Sequence, residues 1–595
     1  MRPTLPLILV AIAFATPALT QQAADTVAPE TGTQTVPYAL SDRASAAMAA
    51  RDAGDPVVAQ DWMVVAANPL AVEAGADVLA AGGTAADAMV AVQAVLGLVE
   101  PQSSGLGGGA FLVWYDAQNG ALTTLDGRET APLAATPRLF QTEDGEPMGF
   151  WDAVVGGLSV GTPGTPALME DAHRRWGRAN WGALLDPAIT LAEGGFQVSP
   201  RMAASIAGDA ERLSTFPATA AYFLPGGVPL AEGSTLMNPA YAATLRAMQA
   251  DGADAIYEGE IAEGIIDTVR HAEGNPGVLS MRDLAVYEVI ERPAVCAEYS
   301  DMDVCGMGPP SSGALTVGQI LGMASAYDLG GPDDLNAWRI IGDASRLAFA
   351  DRGRYMADSD YVPMPTEGLV DPAYLAERAA LLDTDMALED IAPGTPTWDH
   401  AQLWADDQSL EFPSTSHISI VDSYGNVLSM TTTIENGFGS RLMTPGGFLL
   451  NNELTDFSFR THADGVPIAN RLEPGKRPRS SMSPTIVMRD GEPILAIGSP
   501  GGSRIIGYVA TAIIAHYDWG LDIQDAIALP HAVNRFGTFD VEEGTEAEAL
   551  AEGLEALGYE VSIRGLNSGL HAIAITEGGL QGGADPRREG IALGQ

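Results

Sequence analysis

A threonine stands at the head of a core strand in this chain, and the rest of the fold has to serve that position. From Pro413 the sequence reads P-S-T-S-H-I-S-I-V-D-S-Y-G-N-V-L-S-M-T-T-T-I-E. Ile418, Ile420 and Val421 open an apolar run, Tyr424-Gly425-Asn426 supplies turn chemistry, and a second run leads into Thr431, Thr432 and Thr433. This pattern predicts a β-hairpin with one buried face. The segment before it, residues 383–414, is acidic, irregular and Pro-containing. If the chain is cut between Ser414 and Thr415, Thr415 gains a free α-amine beside its own hydroxyl. An unperturbed α-amine titrates near pH ~7.7–8.0, so part of it is unprotonated at neutral pH and can take the hydroxyl proton. Nucleophile and general base would then belong to one residue. An ordinary strand-opening threonine has the same local pattern, so the reading depends on what surrounds it.

Three further blocks follow in order: F-L-L-N-N-E-L-T-D-F (448–457), K-R-P-R-S-S-M-S-P-T (476–485) and G-S-P-G-G-S-R (498–504). Upstream stand L-G-G-G-A-F (106–111), L-D-G-R-E-T-A-P (125–132), V-G-T-P-G-T-P-A (160–167) and P-P-S-S-G (309–313). Together with T-S-H-I-S-I-V-D these resemble the γ-glutamyltranspeptidase (γ-glutamyltransferase/glutathione hydrolase) family, over roughly residues 60 to 590.

The resemblance implies an α+β fold, the four-layer α-β-β-α sandwich of the N-terminal-nucleophile hydrolases. It implies a large piece, residues 59–414, and a small piece, residues 415–595, interleaved after self-cleavage at Ser414–Thr415. The expected activity is hydrolysis or transfer from glutathione and other γ-glutamyl amides through an ester on Thr415, with water, amino acids or peptides as acceptors. No cofactor or metal is expected. Thr433 matches the threonine that hydrogen-bonds the nucleophile, and Gly501 and Gly502 match the oxyanion hole. Arg128 matches the arginine that grips the α-carboxylate, helped by Ser480 and Ser481; a planar guanidinium holds a carboxylate with two parallel bonds, which Lys cannot imitate. A surface Arg paired to Asp126 or Glu129 is the bland alternative. Asp456, Glu435 and Glu453 match acceptors for the α-ammonium, and many family members carry Asn and Gln at the last two positions. His417 lies two residues along the same strand and reads as structural, and Thr431 and Thr432 as strand-surface residues. A glutaryl or cephalosporin acylase of the same family is the nearest rival reading; a processed but inactive binding protein is a third.

Composition bounds the partners. With 77 acidic against 31 basic residues, the net charge is −46. Such a surface repels nucleic acid and anionic membranes. Lys476 is the only lysine; with Arg477 and Arg479 it could form an anion patch, a weak signal in so acidic a chain. At the N-terminus, Arg2, the apolar run Leu5–Ala15 and small residues after it predict a secretory signal over residues 1–20, cut between 18 and 24. Residues 21–58, rich in Ala, Thr, Gln and Pro, read as a flexible leader. An exported protein, periplasmic or extracellular, follows, and Cys296 and Cys305 are candidates for a disulfide across a hairpin.

Locally, the spacing predicts a helix over Pro69–Ala81, stopped by Gly82-Gly83, and a second one capped by Thr84 with Asp87 three residues on. The G-x-G-x-G fragment of residues 105–109 follows a helix and opens a strand at Phe111–Tyr115. That order is the reverse of a dinucleotide loop, so the glycines are expected to allow close backbone packing.

Overall fold

The computed structural model describes residues 40–400, 402–407, 409, 411 and 414–595. The expected secretory signal and the leader up to residue 39 lie outside the described residues.

The hairpin forms as its pattern requires. Strand Ser416–Val421 pairs antiparallel with Val427–Thr433. Asp422 closes the turn by accepting from the amides of Tyr424 and Asn426, both at 3.0 Å. Gly425 adopts φ 85°, a conformation that favours glycine. The second oxygen of Asp422 accepts the amide of Ala85 at 2.8 Å, tying the turn to the start of helix Ala85–Val99.

The hairpin lies inside a seven-stranded antiparallel sheet. Its order is Ile591–Gly594, Met63–Ala66, Ser416–Val421, Val427–Thr433, Gly109–Asp116, Ala121–Gly127, Ile290–Arg292. A second seven-stranded sheet runs Val57–Ala59, Gly579–Ala584, His571–Thr576, Glu492–Gly498, Thr485–Arg489, Met302–Gly306, Val295–Tyr299. Strands from both sides of residue 414 are interspersed in each sheet.

Period-two alternation distributes the hairpin's side chains. Ile418, Ile420, Leu428 and Met430 enter a core shared with helices Pro69–Ala80, Ala85–Val99 and Thr165–Trp176. Val421 and Val427 point the other way, into an inter-sheet core with Ile486 and Ile573. On the far side of the second sheet, helices Gly313–Ala324, Leu335–Tyr355 and Ile505–Tyr517 pack over Leu495 and Ile497. The layers are therefore helix, sheet, sheet, helix. Helix Ala85–Val99 is buried along its whole length, which explains its lack of a polar face; Thr84 and Asp87 form its capping box. The Pro69 helix ends at Ala80, beside Gly82-Gly83.

Within the stretch read as a flexible leader to residue 58, the structure differs. Asp42–Ala53 is a helix capped by Ser41 and ended by Gly54 at φ 82°, and Val57–Ala59 is an edge strand. Its apolar stripe is only Ala44, Ala47 and Met48, too small to stand out in an Ala-rich sequence. Arg51 fixes it from a distance, donating to the carbonyls of Arg588 at 3.0 Å and Gly590 at 2.8 Å. Cys296 and Cys305 face each other in register on adjacent strands and form a disulfide.

Candidate active site

Register places the two threonines together. Ser416 pairs with Thr432, so Thr415 comes opposite Thr433, and their hydroxyl oxygens lie 3.2 Å apart. The Thr415 hydroxyl also contacts the carbonyl oxygen of Ser414. Thr433 donates to that same oxygen at 3.1 Å while accepting the amide of Glu435 at 2.9 Å. Arg588 holds the carbonyl of Thr415 at 2.9 Å. Glu435 adopts φ 75°, a sharp turn that few non-glycine residues make. The glycine loop explains itself here: a Cβ on Gly108 would sit 1.9 Å from the carbonyl oxygen of Thr433. Only glycine lets the two backbones approach that closely.

Arg128, just after strand Ala121–Gly127, is buried rather than on the surface. One arm of its guanidinium meets Glu453 and the other meets Asp456. Nε donates to the Pro478 carbonyl at 3.2 Å and Nη2 to that of Arg479 at 2.9 Å. Glu453 and Asp456 share the short helical turn Glu453–Asp456. Burial pushes the carboxyl of Asp456 well above the usual range against the pull of Arg128, and Glu435, Glu453 and Glu411 push it further. Burial raises Glu453 as well, again against the pull of Arg128. Burial and the neighbouring Glu453 raise Glu129 well above its ordinary value. The corner thus holds more carboxyl groups than cations, which disfavours their charged forms.

Ser481 donates to Glu411 and accepts from Arg352 at 2.8 Å, while the Ser480 hydroxyl accepts the amide of Met482 at 3.1 Å. Gly501 and Gly502 adopt φ 135° and 58°, turning the chain from strand Glu492–Gly498 into the helical run ahead of Ile505–Tyr517. Gly502 lines the Thr415 pocket together with Arg128, Glu435, Asp456 and Ser480. Just after the Glu453–Asp456 turn, Phe459 stacks on Phe140 at 4.7 Å between ring centroids. Further on, Lys476 pins the chain around residues 469–471, its ammonium donating to the carbonyls of Ala469 at 2.7 Å and Arg471 at 3.0 Å. Burial draws Lys476 down to about 8.

The structure corrects the surface reading of Thr431 and Thr432 and bears on the weak anion-patch signal. Lys476, Arg477 and Arg479 form no surface anion patch: all three are buried, and Arg479 pairs with Asp407 at 3.0 Å. Thr431 and Thr432 are not surface residues but fully buried. Thr431 lies 2.9 Å from one ring nitrogen of His417, and Ser419 lies 3.0 Å from the other. Burial, with His571 nearby, draws His417 well below its ordinary value, so it is neutral. Both ring nitrogens are engaged between the sheets. The sequence reading missed Arg352, Glu411 and Arg588 as members of the site, and took Glu129 only as an ion-pair partner. Arg352 sits on a helix whose spacing gives no hint of the site, and Glu411 lies in a segment that reads as solvated acid.

The Gamma-glutamyltranspeptidase family model matches residues 71–595. The chain belongs to the γ-glutamyltranspeptidase family. It is 37% identical over 554 residues to the glutathione hydrolase proenzyme of Bacillus subtilis (strain 168), covering 90% of this chain and 92% of that one. It is 34% identical over 549 residues to the Acylase ACY 1 proenzyme of Pseudomonas sp. (strain SE83), covering 90% and 94%. The crystal structure of the cephalosporin acylase from Bacillus halodurans superposes with TM-score 0.80 at 25% identity, covering 95% and 99%. Relatives within the γ-glutamyltranspeptidase family therefore carry both hydrolase and acylase names, and membership alone does not choose the donor.

Proposed function

We propose that this chain is a precursor that cuts itself between Ser414 and Thr415 and then acts as a γ-glutamyl hydrolase and transferase on glutathione and related amides. The observation that supports it best is the Thr415 hydroxyl, in contact with the Ser414 carbonyl and 3.2 Å from the Thr433 hydroxyl. In self-cleavage the Thr415 oxygen bonds to the Ser414 carbonyl carbon and the peptide C–N bond breaks. The hydroxyl proton ends on the freed amine, and water then opens the ester to leave a carboxylate on Ser414. The products are a large chain that ends at Ser414 and a small chain, 415–595, that stay together as a heterodimer.

In turnover the freed amine takes the Thr415 hydroxyl proton as the oxygen attacks the γ-carbonyl carbon of the donor. The amides of Gly501 and Gly502 meet the developing oxyanion, where fixed dipoles act most strongly. The ammonium returns its proton to the leaving amine. Water or an amino-acid amine then attacks the γ-glutamyl ester and restores the hydroxyl. Arg128, Ser480 and Ser481 serve the donor's α-carboxylate, and Asp456, Glu435 and Glu453 its α-ammonium. The N-terminal signal pattern and the disulfide support an exported site of action.

The acylase names of two relatives favour the glutaryl or cephalosporin acylase as the second reading, although neither name gives a glutaryl donor. The acidic corner around Arg128 favours the γ-glutamyl donor, because only that donor brings a cation to it. A denaturing gel with a γ-glutamyl-anilide assay tests the proposal. Two chains and release of the aniline are expected; one uncut, inert chain would overturn it.

A further inference from the structure

Thr415 and the glycines read as its oxyanion donors stand on different sheets. Thr415 opens the strand Ser416–Val421 of the first, and Gly501-Gly502 follow the strand Glu492–Gly498 of the second. The two strands are not neighbours in a ladder, so hydrogen-bonded register does not fix how far apart they lie. Away from the site Val421, Val427, Ile486 and Ile573 fill the gap between the sheets. Close to the site His417 fills it.

His417 is fully buried two residues after Thr415. A Cβ on Gly498 would sit 2.8 Å from Nε2 of its ring and closer still to Nδ1 and Cε1. The imidazole thus takes the space that any side chain at Gly498 would need. Ser419 gives its hydroxyl proton to the His571 carbonyl at 3.3 Å, so it accepts from His417 at 3.0 Å and the ring proton sits on Nε2. Nδ1 then accepts from the Thr431 hydroxyl at 2.9 Å, across the hairpin in register. Both partners belong to the nucleophile's sheet. His571, whose carbonyl Ser419 holds, pairs with Gly498 in the second sheet. Ser429 of the hairpin also donates to the Ile497 carbonyl at 3.1 Å, which draws the sheets together here. The ring limits that approach, and burial with His571 beside it keeps the ring uncharged.

We propose that His417 is a positioning residue that sets the spacing between the Thr415 hydroxyl and the Gly501-Gly502 amides. It is a rigid spacer, clamped to the nucleophile's sheet by Thr431 and Ser419 and pressed on the backbone of Gly498, three residues before Gly501. The reaction it serves rests on the function proposed above; the spacer itself does not. His417 takes no proton in that reaction and acts through the two strands. Fixed amide dipoles help only where they meet the developing oxyanion, so an error in the spacing falls on the chemical step. The donor's α-end is gripped elsewhere, by Arg128 and Asp456, so binding is spared.

The test compares His417→Ala, Gly498→Ala and the double variant on a γ-glutamyl anilide, with rates normalised to the amount of processed small chain. His417→Ala is expected to lower kcat roughly tenfold to a hundredfold, the scale of a displacement of about 1 Å, with KM within about twofold. Gly498→Ala, which drives the ring and the strand apart, should cost as much in the unaltered background and far less once His417 is Ala. His417→Gln, which can still reach Ser419, should keep an intermediate kcat. If His417→Ala does not fold, Ser419→Ala should show a smaller loss of the same kind. An unchanged kcat, a loss that falls on KM, or a Gly498→Ala cost that is equal in both backgrounds would overturn the proposal. An unaltered protein inert toward the anilide would overturn the proposed function instead. The clamp is then judged by ¹⁵N NMR of the histidine-labelled protein, assigned with His417→Gln. A neutral ring protonated on Nε2 from about pH 5 to 8 is expected; a proton on Nδ1, or a ring that charges in that range, would overturn the proposal.

Discussion

Nη2 of Arg128 lies 2.5 Å from Oδ2 of Asp456, although 328 positions separate the two residues in the chain. The pair joins the upstream and downstream pieces at the pocket itself, and with Glu453 on the other arm it uses the full width of the guanidinium. A point charge cannot span both carboxylates. Arg128→Lys is expected to keep self-cleavage but to raise KM for a γ-glutamyl anilide. Losing one charge-assisted contact costs about 1.5–3 kcal/mol, or roughly ten- to a hundredfold in kcat/KM. Steady-state kinetics on the processed protein check this; an unchanged KM would leave Arg128 a purely structural ion-pair member.

Donor choice follows from the same corner. A glutaryl group offers a methylene where the γ-glutamyl group offers an α-ammonium, so it brings no cation to Asp456, Glu435 and Glu453 beyond the one Arg128 already supplies. Sites built around buried polar partners reject the incomplete analogue by factors of about 10⁴ or more. The γ-glutamyl anilide should be turned over far faster than the glutaryl anilide, and Asp456→Asn should narrow the gap. Comparable kcat/KM for the two donors would favour the acylase reading.

Glu589 gives a pH prediction. Burial, with Glu100 nearby, pushes its carboxyl up to about 7 from an ordinary 4.5. Between those values the folded chain keeps a proton that the unfolded chain has released. The resulting stability is fully present below about pH 4.5 and is lost as pH rises through about 7, on the order of 3 kcal/mol in all. Glu589→Gln mimics the protonated form and keeps an acceptor for the Arg201 amide, which now lies 2.9 Å from Oε1. Its Tm should match that of the unaltered protein at pH 5 and exceed it at pH 8.5. An equal Tm at both pH values would show that Glu589 keeps its ordinary acidity.

What the sequence revealed and what it hid divide by range. The capping box of Thr84 and Asp87 and the turn at Tyr424-Gly425-Asn426 depend on neighbours a few residues apart, so pattern suffices to find them, whereas the partnership of Thr415 with Thr433 came from the family resemblance. The layer order and the grouping of Arg128 with Asp456 came from a family resemblance, since no local rule brings residues so far apart together. Arg352 and Glu411 escaped both routes. A helical Arg and a Glu in an acidic, Pro-containing segment each look solvated until the tertiary fold buries one against the other. The Asp42–Ala53 helix was hidden because its contact face is alanine and its anchor, Arg51, binds carbonyls at the opposite end of the chain.

The central role given to Thr415 is tested most directly by N-terminal sequencing of the smaller chain of the processed protein, beside the same analysis of Thr415→Ala. Expected are a small chain beginning at Thr415 and ending at Gln595, and a Thr415→Ala protein that stays a single, inactive chain. A small chain that begins at any other residue, or a Thr415→Ala protein that is still cut at this point, would contradict it.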